Sequence, residues 1–520
     1  MARIAVIGAG TGAMAAAARL AVAGHRVTVY ERTETFGGGV RRLERDGFGF
    51  DTGPGLLRLP AVYRDLFVKT GKEPLESCVR LTQVDPASRH LFPDGTAVAL
   101  PNASRAGVVE ALDSALGAGA GERWSDLINR ARDVWDATRR PLLEEPLWQD
   151  WQVLGRDPYP AVRRRGLFGR GKRPDTLATV ARRELRDPRL VALLESHALA
   201  HGFDPVSAPP SATVLPYIEQ TFGCWYAEGG MRALAEALYE RCRARGVEFV
   251  FGAGVTGIPE KDGRAAGVEL ADGSVAEADQ VVAGVDPSLL AELLDGSAGS
   301  PWRGRALWQE GDKRPDPAAR ARVPGRLTVC LALRGARPDG VAHRTVIHSA
   351  DRGEELGWLF DPEPTLQESL CEFPTVTVLR PDDRSLVPDA EHEAVTLSVT
   401  VPPHGPVDWR DDTTVRRSAD RVVAIAEAAI PGLRERVLWR EVRTPADTAA
   451  QTGAEGGSVP GPVLAGAGGQ QLRPANTTRI PGLHLVGGWS HPGGGLAHAG
   501  MSGALVAGLI VEGADWRGSQ

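Results

Sequence analysis

The chain has 520 residues, which favours two interleaved domains over one compact core. Its 60 basic residues stand against 66 acidic ones, and the net charge of −6 excludes a general affinity for nucleic acid. Five widely spaced cysteines without a C-x-x-C pair indicate a reducing compartment, not a disulfide scaffold or a zinc site. No apolar run approaches the ~20 residues of a spanning helix. The chain also enters a predicted strand at once, so we expect a cytoplasmic protein without a signal peptide, with membrane association left open.

The first predicted elements are a buried strand at residues 4–7 and a helix at residues 14–23, joined by a glycine turn. The turn fills the pattern G-x-G-x-x-G/A. Its glycines permit a tight turn and a close approach of the backbone to a diphosphate, and its alanine lets the helix pack on the strand. The positive end of the helix then faces the phosphates. The candidate contacts are Gly8, Gly10, Gly12 and Ala13.

A second strand is predicted at residues 26–30, and Glu31 stands at its end. A carboxylate at this position accepts hydrogen bonds from a ribose. A glycine fingerprint alone is also typical of a bare structural turn. Here strand, turn, helix, strand and acid follow in order, which favours dinucleotide binding.

A second glycine loop follows at residues 37–39, with two arginines after it. Consecutive glycines let several backbone N–H groups approach one anion closely, and the guanidinium of an arginine adds further N–H donors. We interpret this segment as a cofactor contact; the alternative is a surface turn with a solvated basic pair. The candidate residues are Arg32, Gly38, Gly39 and Arg41. The FDTGPG segment comes next, where Asp51 is predicted to cap the Gly-Pro turn.

These motifs together resemble the N-terminus of FAD-dependent amine oxidase and phytoene desaturase-type flavoproteins. The segment GCWYAEGGM, residues 223–231, is similar to the family's G-x-WYP-x-GGM, with Ala227 in place of the proline. The resemblance implies an α/β fold, in which a Rossmann-type, glutathione-reductase-like FAD domain is interleaved with an α+β substrate domain. It also implies FAD as the cofactor, with the backbone of Val255 near the adenine.

The C-terminal stretch VGGWSHPGGGLAHAGMSG resembles the phytoene desaturase branch, that of the carotenoid desaturases and isomerases. It again reads as strand, glycine loop and helix, predicted at residues 483–486, 487–495 and 499–510. In the family this loop meets the isoalloxazine ring, and amides at a helix N-terminus stabilise negative charge on the reduced flavin. The candidate contacts are Gly487, Gly488, Gly494 and Gly495.

The resemblance and the changes of pattern along the chain predict a discontinuous domain division. The FAD domain is expected at residues 1–70, 215–300 and 437–520, and the substrate domain at residues 71–214 and 301–436. Four β-branched runs predict an antiparallel sheet, which in this family is a platform above the flavin: residues 326–333, 345–348, 375–379 and 394–401.

The activity implied by the resemblance is the loss of a hydride to the flavin and of a proton from the neighbouring carbon. The product is a new C=C bond in an apolar polyene or isoprenoid-like substrate, and oxygen or quinone reoxidises the flavin. No second fingerprint for NAD(P)H is evident. Two alternatives stay open. One is an oxidase or dehydrogenase of a C–N or C–C bond in a specialised metabolite, and the other is a non-catalytic flavin- or lipid-binding protein.

Three residues are candidates for taking the proton. Glu228 lies in the segment GCWYAEGGM, His491 lies in the C-terminal glycine loop, and His343 falls in a stretch similar to the family's H-x-T-I. An isolated histidine is more often a hydrogen-bonded structural group than a base.

A basic segment, RRRGLFGRGKR at residues 163–173, surrounds Leu167 and Phe168. It predicts contact between Arg163–Arg173 and a membrane surface, with basic groups on anionic lipid and the two apolar residues inserted. A solvated loop is the alternative. The sequence does not indicate an oligomeric state.

Overall fold

A computed structural model describes residues 1–148, 150–160, 175–295, 307, 323–361 and 371–518 of the chain. Two large sheets organise these residues. None of the described helices has the length and apolarity that crossing a bilayer requires.

The first sheet, called here the cofactor sheet, has five parallel strands. Their spatial order is Leu483–Leu485, Gln280–Ala283, Arg3–Ile7, Arg26–Tyr30 and Glu248–Val250. Side chains of the first strand alternate between two cores: Ile4 and Val6 pack on one face, and Ala5 and Ile7 on the other. This burial on both faces explains why the strand is an unbroken apolar run.

The second sheet, called here the platform sheet, has seven strands. Their order is Val437–Arg443, Gly325–Arg334, His392–Val401, Val376–Leu379, Arg344–Ile347, Ser88–Leu91 and Ala97–Leu100. Neighbouring strands pair in antiparallel orientation, except that Arg344–Ile347 and Ser88–Leu91 run parallel to each other. One face carries a Val- and Leu-rich core that packs against the helix Asp412–Ala426. The predicted antiparallel platform is therefore confirmed.

The domain division remains a prediction, but the sheets bear on one of its boundaries. The strand Val437–Arg443 pairs with Gly325–Arg334 and belongs to the platform sheet. We therefore propose that the last FAD segment begins after Arg443 and not at residue 437.

The remaining regular elements connect and cover the two sheets. The helices are Thr11–Val22, Ala61–Gly71, Arg105–Leu116, Ala120–Arg139, Leu177–Leu185, Pro188–Ala200, Val214–Phe222, Met231–Ala244, Pro287–Asp295, Arg352–Phe360, Asp412–Ala426, Leu433–Arg436, Pro445–Thr452 and Leu496–Glu512. Small sheets pair Arg42–Arg45 with Phe48–Asp51, Leu81–Gln83 with Trp225–Ala227, Glu260–Lys261 with Arg264–Ala265, and Gly267–Leu270 with both Val255–Gly257 and Val275–Glu277. Short helical turns lie at Leu75–Ser77, Arg140–Glu144, Trp151–Gly155, Pro210–Thr213, Arg384–Leu386, Glu455–Gly457 and Ala467–Gly469.

The two ends of the chain meet where the helices Thr11–Val22 and Leu496–Glu512 pack together. Glycines on both helices allow this contact. A Cβ on Gly12 would lie 2.9 Å from the carbonyl oxygen of Ala499, and a Cβ on Gly503 would lie 2.6 Å from the carbonyl oxygen of Gly12. The N-terminal and C-terminal glycine loops consequently open on the same side of the cofactor sheet.

Asp51 does not cap the turn in its own segment. Its carboxylate oxygens accept hydrogen bonds from the backbone N–H groups of Met231 (2.7 Å) and Arg232 (3.1 Å), and so cap the helix Met231–Ala244. The prediction of a local cap was wrong because Met231, the hydrogen-bond partner of Asp51, lies 180 residues further along the chain.

Candidate active site

A cavity of about 780 Å³ is lined by residues of both sheets and by both ends of the chain. All fourteen residues predicted to contact the cofactor line it: Gly8, Gly10, Gly12, Ala13, Glu31, Arg32, Gly38, Gly39, Arg41, Val255, Gly487, Gly488, Gly494 and Gly495. Segments that are more than 480 residues apart in the sequence therefore face one space.

Glu31 lies at the end of its strand with both carboxylate oxygens engaged. Oε2 accepts the backbone N–H of Ala9 at 2.8 Å, and Oε1 accepts the N–H of Thr33 at 2.9 Å. The side chain is only 6% exposed. These bonds hold the acid against the glycine turn. Oε1 also accepts the Thr33 hydroxyl at 2.8 Å, whereas Oε2 keeps a lone pair for a further donor.

The second glycine loop packs directly on the first. The N–H of Gly37 donates to the carbonyl of Ala9 at 2.8 Å, and a Cβ on Gly38 would lie 3.1 Å from the Cα of Gly10. Arg41 braces the loop by donating from Nε to the carbonyl of Gly38 at 3.0 Å. The loop thus lies beside the glycine turn, at the cavity wall.

The C-terminal glycine loop is packed against the segment at residues 460–461. The N–H of Gly494 donates to the carbonyl of Gly461 at 2.9 Å, and a Cβ on Gly494 would lie 1.8 Å from the carbonyl oxygen of Pro460. Gly495 has φ +103° and precedes the helix Leu496–Glu512. The first turn of that helix lines the cavity, and the first N–H groups of a helix have no partner within the helix.

This wall has the donor set of an FAD site. An acid stands at a strand end, and a glycine turn leads into the helix Thr11–Val22. A second helix N-terminus lines the same cavity and suits a ring that becomes negatively charged. The residues present therefore fit FAD.

The opposite wall is made of side chains. Strand residues of the platform sheet alternate between the core and the cavity. The cavity face carries Arg326, Thr328, Arg344, Val346, Thr377, Leu379, Thr396, Ser398 and Thr400. Helices supply the apolar part of this wall through Leu199, Leu215 and Ile218.

A buried ion cluster lies behind this wall. Glu219 accepts from Arg58 Nη2 at 2.6 Å and from Arg344 Nη1 at 3.1 Å. Burial alone would raise the pKa of the Glu219 carboxyl, but the guanidinium groups of Arg344 and Arg58 hold that pKa well below its ordinary value. Arg352 pairs with Glu195 in a second ion pair of this region.

Four histidines line the cavity: His90, His197, His201 and His498. His90 is engaged on both ring nitrogens, with Ser88 at 2.8 Å and His348 at 3.0 Å. His498 lies in the first turn of the last helix, with Nδ1 3.6 Å from the ideal Cβ position of Gly495. Burial lowers the pKa of His498 to about 4, so its imidazole is neutral near pH 7.

The structure does not bring the three predicted proton acceptors to the cavity. Glu228 is exposed and pairs with Arg80 at 3.2 Å. His491 is fully buried, with Nε2 2.9 Å from the carbonyl oxygen of Glu145. His343 packs against the ring of Tyr226, with the centroids 4.8 Å apart. Each side chain is thus held by surroundings that the sequence does not reveal.

His498 was missed, although a signal for it exists. It lies three residues after Gly495, so one turn of helix sets it beside the glycine loop. The predicted membrane segment Arg163–Arg173 lies outside the described residues.

The fold and the cavity together define an FAD-dependent oxidoreductase. The family model "Flavin containing amine oxidoreductase" matches residues 14–511, and the chain belongs to this family. Among solved structures, putrescine oxidase bound to putrescine matches with a TM-score of 0.62 at 13% identity, over 98% of this chain and 99% of that one. An oxidoreductase from Methanosarcina mazei matches with a TM-score of 0.61 at 18% identity, over 97% and 99%.

Curated relatives point to one branch of the family. A hydroxyneurosporene desaturase of Cereibacter sphaeroides is 32% identical over 98% of this chain and 97% of the relative. A 4,4'-diapolycopene oxygenase of Methylomonas sp is 29% identical over 98% of both chains. A zeta-carotene-forming phytoene desaturase of Myxococcus xanthus is 29% identical over 99% and 95%. The predicted fold class, the FAD cofactor and the resemblance to phytoene desaturase-type oxidoreductases are confirmed.

Proposed function

We propose that this flavoprotein forms a C=C bond in an apolar polyene or isoprenoid-like chain. The observation that carries the proposal is one cavity that is lined on one side by the FAD-site residues and on the other by apolar helix residues. Relatives named for desaturation of hydroxyneurosporene and phytoene support the choice of substrate.

We propose the following roles for the cofactor wall. Glu31 binds the adenosine ribose, while the glycine turn and the helix Thr11–Val22 bind the diphosphate. Gly494, Gly495 and the first turn of Leu496–Glu512 hold the ring. When bound, FAD accepts the hydride of the oxidised C–H bond.

The opposite wall orients the substrate and excludes water. Leu199, Leu215 and Ile218 give it an apolar surface on which a hydrocarbon chain packs. We propose His498 as the proton acceptor, through its imidazole ring. A proton next to a carbon that is losing hydride is strongly acidic, so a weak and neutral base is sufficient.

Anaerobic flavin bleaching tests the proposed function. We expect the purified holoprotein to be yellow. A polyene with saturated positions should bleach it and gain one conjugated C=C bond, seen as a red-shifted product. The matched control is the same polyene with those positions already desaturated, which should leave the flavin oxidised. Bleaching by amines and not by polyenes would contradict the proposal.

Oxidation of a C–N bond is the second candidate, because the fold matches putrescine oxidase. The charges near the cavity disfavour it. Amine substrates are protonated near pH 7 and favour a negative site, whereas Arg326 on this wall pairs with no described carboxylate. A non-catalytic flavin-binding protein would be yellow but would not be bleached by any candidate substrate.

We propose membrane contact through Arg163–Arg173 from the sequence alone. Co-flotation with vesicles containing anionic lipid tests it, with neutral vesicles as the control. Replacing the basic residues of this segment by glutamine should abolish flotation. Flotation that is unchanged by these substitutions would contradict the proposal.

A further inference from the structure

The cavity face of the platform sheet is polar, although its other face is a Val- and Leu-rich core. The strand register places hydroxyl groups side by side. Thr328 lies opposite Ser398, and Ser398 lies opposite Thr377. Within the described part of the chain, none of these three hydroxyls makes a side-chain hydrogen bond. They are therefore available to a ligand that carries oxygen.

Arg326 completes this polar face. It lines the cavity and lies opposite Thr400, whose Oγ1 accepts from Nη1 at 2.6 Å. Nη2 donates to the carbonyl of Ala200. These bonds use two of the five N–H groups of a guanidinium. No carboxylate among the described residues pairs with Arg326.

The local charges do not balance. Around the polar face, five described arginines stand against three described glutamates: Arg58, Arg326, Arg344, Arg352 and Arg443 against Glu195, Glu219 and Glu355. Three of the arginines are paired with the glutamates, which leaves Arg326 and Arg443 without a described carboxylate. Of these two, Arg326 donates to Ala200 and so lies beside the apolar residue Leu199. Burial lowers the pKa of Arg326 only to about 10, so it stays protonated near pH 7.

A pure hydrocarbon in this space would cover a guanidinium and a row of hydroxyls without giving them partners. Covering polar groups in this way costs free energy, and a charged group costs the most. A carboxylate removes that cost, because its two oxygens match the guanidinium fork and leave lone pairs for neighbouring hydroxyls.

We infer that the cavity selects a polyene or isoprenoid chain that ends in a carboxylate, with the carboxylate bound to Arg326. Its hydrocarbon part packs on Leu199, Leu215 and Ile218. This inference rests on the proposed function and deepens it, since it names the end group of the substrate. Arg326 is thus the residue that determines specificity.

Equilibrium binding tests the inference without turnover. The probes are a polyene acid, its methyl ester and the hydrocarbon of equal length, added to the oxidised holoprotein while tryptophan fluorescence is recorded. We expect the acid to bind about 10- to 100-fold more tightly than the ester. In Arg326→Gln this preference should disappear. In the matched control Arg334→Gln, an exposed arginine on the same strand, it should persist.

Several outcomes overturn the inference. Equal affinity of the wild-type protein for the acid and the ester would be enough to contradict it, before any variant is measured. If Arg326→Gln fails to fold, the variant Arg326→Lys replaces it in the test. Lysine keeps the positive charge but lacks the two parallel N–H donors of a guanidinium. An undiminished preference for the acid in Arg326→Lys would contradict bidentate binding. A shift in flavin potential with equal losses for acid and ester would show that Arg326 acts on the cofactor instead.

The bleaching experiment separates the two levels of proposal. If the acid binds preferentially but no polyene bleaches the flavin, the proposed function fails and the end-group recognition stands. If hydrocarbon polyenes are desaturated and the acid has no advantage, the end-group inference fails and the proposed function stands.

Discussion

The two walls of the cavity are built by different means. The cofactor wall is mostly backbone, exposed by glycines at three loops and by two helix N-termini. The opposite wall is made of side chains from strands and helices, among them threonines, arginines and histidines. A backbone site depends on a few positions where no side chain fits, whereas a side-chain site depends on many residues that each contribute chemistry. Substitutions on the two walls should therefore have different consequences for stability, FAD binding and rate.

Gly494→Ala should have the largest effect. The added Cβ would lie 1.8 Å from the carbonyl oxygen of Pro460, so the loop must move. We expect loss of FAD and a destabilisation of about 3 kcal/mol or more, as for severe overpacking. Thermal unfolding and the flavin absorbance of the purified protein measure both.

Gly10→Ala is the matched control on the same wall. Its added Cβ would meet nothing within 4 Å, and its φ of −70° suits any residue. We expect unchanged stability of the apoprotein but weaker FAD binding, because the methyl group stands where the diphosphate approaches. Equal FAD affinity would contradict the diphosphate role of this turn.

Glu219→Gln tests the ion cluster of the side-chain wall. The substitution leaves Arg58 and Arg344 without a carboxylate, and breaking a buried pair in this way costs about 3–5 kcal/mol. Denaturant unfolding measures it. The exposed Glu228→Gln should change stability by less than about 0.5 kcal/mol. A similar loss of stability in Glu219→Gln and Glu228→Gln would indicate that burial of the Glu219 ion pairs is not the cause.

His498→Gln should slow the chemical step while leaving FAD bound. Removal of a general base costs about 10²- to 10⁴-fold in rate. Single-turnover bleaching of the flavin reports on this step. His343→Gln is the control, because His343 lies off the cavity and should leave the rate near that of the wild type. Equal rates in His498→Gln and the wild type would exclude His498 as the base.

The sequence could reveal the backbone wall because its signals are local. The first and last glycine loops each stand between a strand and a helix that can be predicted from short segments, and packing of the two terminal helices brings these loops together. The side-chain wall has no such signal. Thr328 and Ser398 face each other across 70 residues of sequence, and only the strand register shows it. His491 and His498 lie in one motif, yet only the distant carbonyl of Glu145 explains why His491 faces away from the cavity.

Asp51 caps the helix Met231–Ala244 away from both walls and gives the smallest predicted effect. Burial raises the pKa of its carboxyl from 3.8 to about 6. The folded protein thus holds this proton more tightly than the unfolded chain, so stability falls as the pH rises from about 4 to 6. We expect the stability difference between the wild type and Asp51→Asn, measured by urea unfolding, to decrease by on the order of 2 kcal/mol across that range. A constant difference would show that the helix cap is ionised throughout, and that its two backbone N–H donors outweigh the cost of burial.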